Sequence, residues 1–178
     1  GDGSGIGGTW GNRSDNLPTF GSPVGDFVSY NSWTLVVKVK PDDADVVFIG
    51  GTNLYRSTDG FATTSNTTWI GGYSVVNNVS GYANHHPDQQ SLAFLPSDPS
   101  VLLSGHDGGI SVTTNDLAVS VVWASLNNGY TTTQFWAVAV DHATPGNNTI
   151  IGGLQDNGSW FTNSLSSTEP WTNIGGGD

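Results

Sequence analysis

One order of elements recurs three times in this chain, and it constrains the fold more than any other feature. Each copy holds an apolar strand, a turn, a second apolar strand with glycine at its end, a third strand, and a fourth strand near a tryptophan. In the first copy Leu35, Val37 and Val39 alternate with Lys38 and Lys40, and a turn follows at 41–45. Next comes a continuous apolar run of Val46, Val47, Phe48 and Ile49 that ends at Gly50. The alternation reads as a strand with one apolar face, and the run as a strand buried on both. The third and fourth strands are expected at 53–57 and at Trp69 and Ile70. A second copy has strands at 91–95, 101–105, 110–113 and 121–123, and a third has them at 135–140, 149–152, 159–161 and 171–174. Gly50, Gly105 and Gly153 mark the ends of the second strands, and Trp10, Trp69, Trp123 and Trp171 mark the closing positions.

Repeats of about 40–50 residues with four strands each are the sequence signature of propeller blades. The expected fold is therefore all-β, a β-propeller of four-stranded antiparallel blades with about three complete blades present. Composition agrees: the ordered runs are Val, Ile, Thr and aromatic, the chain has 25 Gly, and it has no Met. Residues 1–32 are expected to be the remnant of a preceding blade plus a connecting loop, in which 26–30 reads as a short strand or a covering loop. Blades are expected at 33–72, 91–126 and 127–178, with an inter-blade loop at 73–90. Closed propellers have about four to eight blades. The chain, which begins at Gly1, thus reads as a segment of a larger propeller or a processed product.

Within the first copy, Ser57, Thr58, Asp59 and Gly60 form a turn, and Trp69 stands on the returning strand. Asp in such a turn accepts hydrogen bonds from the next backbone N–H groups, and Gly supplies the left-handed geometry that closes it. With Ser57, Asp59, Gly60 and Trp69 in place, the stretch resembles the Asp-box (BNR) repeat. Phe61 stands where that repeat usually has a second Gly, and the loop before Trp69 is longer than usual. The boxes of the later copies are reduced to Thr113–Asp116 and to Thr162, Asn163 and Ser164. Proteins with this repeat include sialidases, sortilin-type receptors and xyloglucanase-type glycoside hydrolases. The resemblance, strongest to secreted bacterial propellers, implies an exported or cell-surface location.

Four Lys and Arg stand against 15 Asp and Glu, a formal net charge of −11. So acidic a chain would repel nucleic acid and anionic membranes. No apolar run is long enough to span a membrane, so no membrane insertion is expected. There is no Cys, hence no disulfide framework.

Three groups of residues are candidates for chemistry. Asp107 and Asp156 follow the second strands of adjacent copies, and in xyloglucanase-type enzymes an aspartate at a comparable position is a general acid or base. Glycoside hydrolysis needs two carboxylates roughly 5–5.5 Å apart for retention or 6.5–9.5 Å for inversion. Asp before Gly is also the ordinary residue of a tight turn. Next, His85, His86 and Asp88, with His106 or Asp107, have side chains able to hold a divalent cation, although turn and inter-blade hydrogen bonding is the stronger reading; no cofactor is expected. Last, Trp33, Trp136 and Trp160 with Tyr30, Tyr55, Tyr73, Tyr82 and Tyr130 could stack sugars or simply pack.

The chain is therefore expected to be a non-catalytic binding or structural module of a large exported protein. Its contact surface would lie on the loops at 84–90, 106–109 and 155–158, where His86, Asp88, His106, Gln155 and Asn157 are the candidate binding residues. Its partners would be other blades of a longer chain or a partner protein, and a glycan could be its ligand. The rivals are a glycoside hydrolase segment using Asp107 and Asp156, and a sortilin-like receptor. Against a sialidase, Arg13 and Arg56 are too few for a three-arginine carboxylate clamp unless other blades supply the rest.

Overall fold

The computed structural model describes residues 10–75, 81–129, 134–155, 157–168 and 170–176. Over the described residues the chain is all-β, with three four-stranded antiparallel sheets and one short 3-10 turn at Ser14–Asn16. It divides into two compact units, Gly1–Gly129 and Tyr130–Asp178.

The first unit holds two sheets. Sheet 1 is β1 (Val36–Lys40), β2 (Asp43–Gly50), β3 (Leu54–Ser57) and β4 (Thr67–Gly71); sheet 2 is β5 (Gln89–Leu95), β6 (Asp98–His106), β7 (Gly109–Thr113) and β8 (Ala124–Ser125). Both run as simple meanders in chain order. The second unit holds sheet 3, a meander of β9 (Phe135–Val140), β10 (Ile150–Leu154), β11 (Gly158–Thr162) and β12 (Thr172–Gly175).

The same two side-chain-capped turns bracket every sheet. Between the first and second strands an Asx turn forms: the N–H groups of Asp45, Ser100 and Thr149 donate to the side-chain oxygens of Asp43, Asp98 and Asn147, each at 3.0 Å. At the end of each third strand a hydroxyl accepts from the N–H two residues on, Asp59 to Ser57, Asn115 to Thr113 and Ser164 to Thr162, each at 3.2 Å. Short polar side chains close a turn in this way because they mimic a backbone carbonyl. Ser57, Thr113 and Thr162 pair with Val47, Leu102 and Ile150. That register makes Gly50, Gly105 and Gly153 equivalent, as the sequence repeat requires. A Cβ on Gly50 or Gly105 would meet the first-strand side chains of Val36 and Ser91, at 2.6 and 2.5 Å. In sheet 3 the close approach falls instead at Gly152, beneath the ring of Phe135.

Sheets 1 and 2 share a core. Val46, Phe48, Leu54 and Ile70 of sheet 1 meet Leu92, Leu102, Val121 and Trp123. The opposite face of sheet 1 carries a second core of Ile49, Tyr55 and Phe61, covered by Leu17, Val24 and Phe27. Residues 26–30 are thus a covering loop, apart from one isolated bridge between Thr19 and Asp26. The run Val46–Gly50 is buried almost throughout, as its composition implies.

Three expectations need correction. The period of β1 is right, but its apolar and basic faces lie opposite to the simple reading: Val37 and Val39 are exposed, while Lys38 is half-buried and Lys40 buried. Lys40 goes inside because Asp116 waits there, as described below. The expected strand at 121–123 is not one; Val121 and Trp123 are buried as core side chains just ahead of the two-residue strand β8. Trp10 lies outside any strand and is 97% exposed, so it closes nothing among the described residues.

Candidate functional site

The turn at Ser57–Gly60 is closed by a dense set of hydrogen bonds. Asp59 Oδ1 accepts from the Ser57 hydroxyl at 2.8 Å and the Ala62 N–H at 3.1 Å. Its Oδ2 accepts from the N–H and hydroxyl of Thr63 and the amide of Asn66, at 3.1, 2.7 and 3.0 Å. These bonds, the Thr63 hydroxyl and the Asn66 amide foremost, hold the Asp59 carboxyl far below the usual carboxylate range. All five donors belong to the turn itself, so the carboxylate is a turn-former. Trp69 packs beside the core of Ile49, Tyr55 and Phe61 and donates its indole N–H to Gly71 O at 2.7 Å.

Phe61 follows Gly60 in the left-handed region although it carries a large side chain. Both Gly60 and Phe61 take left-handed backbone, with φ 61° and 56°. The Phe61 ring is buried in the second core, so packing offsets the strain. Left-handed backbone costs an L-residue about 1–2 kcal/mol, whereas emptying a buried Phe site costs about 3–5 kcal/mol. Phe61→Gly is therefore expected to lower stability by about 2 kcal/mol net in urea unfolding, despite restoring the usual residue.

The second candidate lies where the loop at 81–90 meets the β6–β7 turn. His85 is buried against the ring of Trp123, 4.4 Å between centroids, and that of His106, at 4.8 Å. Gly71 of β4 lies so close that a Cβ there would stand 2.3 Å from His85 Nδ1. Neither His85 ring nitrogen has a hydrogen-bond partner. His106 Nε2 is 2.9 Å from the Ser111 hydroxyl, which donates its one proton to Asn84 O at 2.6 Å. Ser111 therefore accepts from His106, which places the His106 proton on Nε2 and leaves Nδ1, also unpartnered, with the lone pair. Burial drives the His85 pKa down to about 3, with help from His106 and His86. Burial likewise takes His106 down to about 4, where His86 adds to the effect and Asp107 opposes it.

A buried Ser–His pair resembles a nucleophile and its base, but the proton runs the wrong way. The Ser111 hydroxyl points to a carbonyl and is closed off from substrate. The pair fastens the loop to β7. Gln89 does the same for β6: its amide donates to His86 O at 2.9 Å, and its oxygen accepts from the Ser104 hydroxyl at 3.1 Å.

The predicted site residues fall around this joint without converging. Asp107 is exposed, its N–H on Asp88 O at 3.2 Å and its carboxylate accepting from Gln90 at 3.0 Å. His86 is exposed, with Nδ1 3.0 Å from Pro87 O, while Asp88 is half-buried in left-handed backbone with φ 64°. Among the described residues no three His, Asp or Glu side chains come together as metal ligands. In the second unit, Asn157 donates to Gln155 O at 2.9 Å and accepts from the Trp160 indole at 2.7 Å, so both act as turn residues. Asp156 lies outside the described residues, and so does Tyr130.

Sequence reasoning missed Asn84, Ser111 and Trp123 at this joint, and it missed the role of Asp116. The Asp116 carboxylate is buried and bridges to Lys40 Nζ at 3.1 Å. Its carbonyl, with that of Ala118, accepts from Arg56 at 2.5 and 3.0 Å. Sheet 1 thus sends both of its buried cations into one turn of sheet 2. Among known proteins, the chain matches no family model, and no curated protein is similar enough to serve as a relative.

Proposed function

We propose that the chain is a β-propeller segment built of Asp-box-type blades, a non-catalytic binding or structural module of an exported or cell-surface protein. One observation carries this reading. The face of sheet 2 that bears Thr113 packs on sheet 1, so Leu92 is 7% exposed and Phe94 is partly buried. By register the equivalent residues of sheet 1 are Val37 and Val39, and these are 59% and 48% exposed. The outer part of that face is covered by Leu17, Val24 and Phe27, but β1 is left bare. Two faces of the same design, one covered by a sheet and one not, are what stacked repeats require of their neighbours. Blades of a longer chain or of a partner protein would supply the missing cover, and the loops at 84–90 and 106–109 would be free to hold a ligand such as a glycan.

The non-catalytic part of the reading rests on Asp107, which sits in an exposed turn with its carboxylate tied to Gln90. The natural polypeptide and its Asp107→Asn and Asp156→Asn variants should be incubated with β-glucan and sialoside substrates. We expect no turnover in any of the three. Hydrolysis by the natural protein that disappears in either variant would replace this reading with a glycoside hydrolase.

A further inference from the structure

The joint between sheets 1 and 2 holds two imidazoles where one would expect hydrocarbon. His85 and His106 are both buried, their rings touch, and three of their four ring nitrogens lack a partner. Packing around His85 is tight on every side: Gly71 of β4, Trp123 before β8, and His106 at the end of β6. We propose that this histidine pair is an acid-operated latch, which holds the loop at 84–90 and the β6–β7 turn against sheet 1 when neutral and lets them go when protonated. The proposal concerns the first unit alone and does not depend on the propeller reading.

A proton on His85 would place a cation where no partner meets hydrogen-bond geometry and only the backbone of His86 favours it, beside a second ring able to take a charge. The Trp123 face offers some cation–π compensation. It cannot replace the water and hydrogen bonds that a buried imidazolium loses. The titratable groups nearby are few. His86 stands 6.1 Å from His106, centroid to centroid, and adds repulsion once charged. Asp107 favours a charged His106 but faces solvent. Tyr82, bridged to His85 through the backbone, and Asp88 lie on the same loop. Gly71, Ser111 and Trp123, the other groups packed on the pair, do not titrate.

The sign follows from burial. An open joint returns both histidines to the ordinary value near 6.5, while the closed joint holds them near 3 and near 4. Opening therefore takes up protons below about pH 6.5, and the closed state is lost progressively as pH falls toward 4. Carboxylates with ordinary values near 4 remain ionised over most of that window.

The test is amide hydrogen exchange on the natural full-length polypeptide between about pH 7.5 and pH 4.5, corrected for intrinsic rates. Protection of β4 and of β6–β7 should be flat above about pH 6.5 and then fall roughly tenfold per pH unit for each proton taken up. In His85→Phe, which keeps a ring without a charge, the slope should drop by about tenfold per unit. A flat wild-type profile, or an unchanged slope in the variant, would overturn the latch. Should His85→Phe fail to fold, imidazole NMR of the wild type decides. His85 is expected to stay neutral at about pH 5.5 in the folded protein, and a charged His85 in that state would overturn the proposal.

Discussion

Asp116→Ala is expected to lower the stability of the first unit by about 3–5 kcal/mol, which denaturant unfolding would read directly. Lys40 and Asp116 are both buried, and their side chains meet at 3.1 Å. Burial pushes the Asp116 carboxyl up, while Lys40 pulls it down, so the pair is not a strong net stabiliser as it stands. Removing one partner is different, because the Lys40 ammonium would be left among Phe94, Pro99 O and the edge-lying Asp42. A buried ammonium left with only the exposed Asp42 carboxylate, at 3.3 Å, as its counterion accounts for most of the expected loss. The control follows from the same physics. Replacing both partners with apolar residues, Lys40→Met with Asp116→Leu, should recover most of the stability, since neither charge then needs solvating. If Asp116→Ala alone costs less than about 1 kcal/mol, the pair is solvated in solution and the joint is looser than described.

This pair also shows where sequence reading stops. Strand order, hairpin turns and the equivalence of Gly50, Gly105 and Gly153 were readable because each depends on residues near in sequence. The turn at Ser57–Gly60, with Asp59 accepting from the next backbone N–H groups, is readable for the same reason. The direction in which a strand faces is another matter. An alternation of Val and Lys on β1 has a correct period whichever face is inward. The partners that take the lysine face inside, Asp116, Pro99 O and the Phe94 ring, all come from sheet 2, with Asp116 lying 76 residues away. Asp116 itself read as the remnant of a degraded motif, yet its carboxylate and carbonyl together receive both buried cations of sheet 1. The histidines were noticed as a cluster, but their burial was not readable. It depends on Gly71, Ser111 and Trp123, which arrive from three separate strands or loops. The candidate acid Asp107 stands just after β6, and its carboxylate accepts from Gln90 of the neighbouring strand β5, a contact that spacing alone does not reveal.

Trp123→Ala should be the most damaging single truncation at the histidine joint, again by about 3–5 kcal/mol. Trp123 is 2% exposed and belongs to the core shared by both sheets. Its indole donates to Ile70 O at 2.7 Å, a bond that ties this stretch to the backbone of β4. Its own carbonyl accepts from Asn84 at 3.1 Å, which fixes the left-handed residue that starts the histidine loop. Truncation therefore empties a large volume, orphans a buried carbonyl and removes the wall on which His85 rests. Trp123→Phe separates these effects. It keeps most of the volume but loses the hydrogen bond, and should cost about 1–3 kcal/mol through the unpaired Ile70 carbonyl. Trp69 occupies the corresponding place in the sequence repeat but is only half-buried, with its indole bonded within its own strand. Trp69→Ala should accordingly cost clearly less than Trp123→Ala in the same unfolding experiment. Equal losses would mean that the exposed side of sheet 1 is as well covered in solution as the joint with sheet 2.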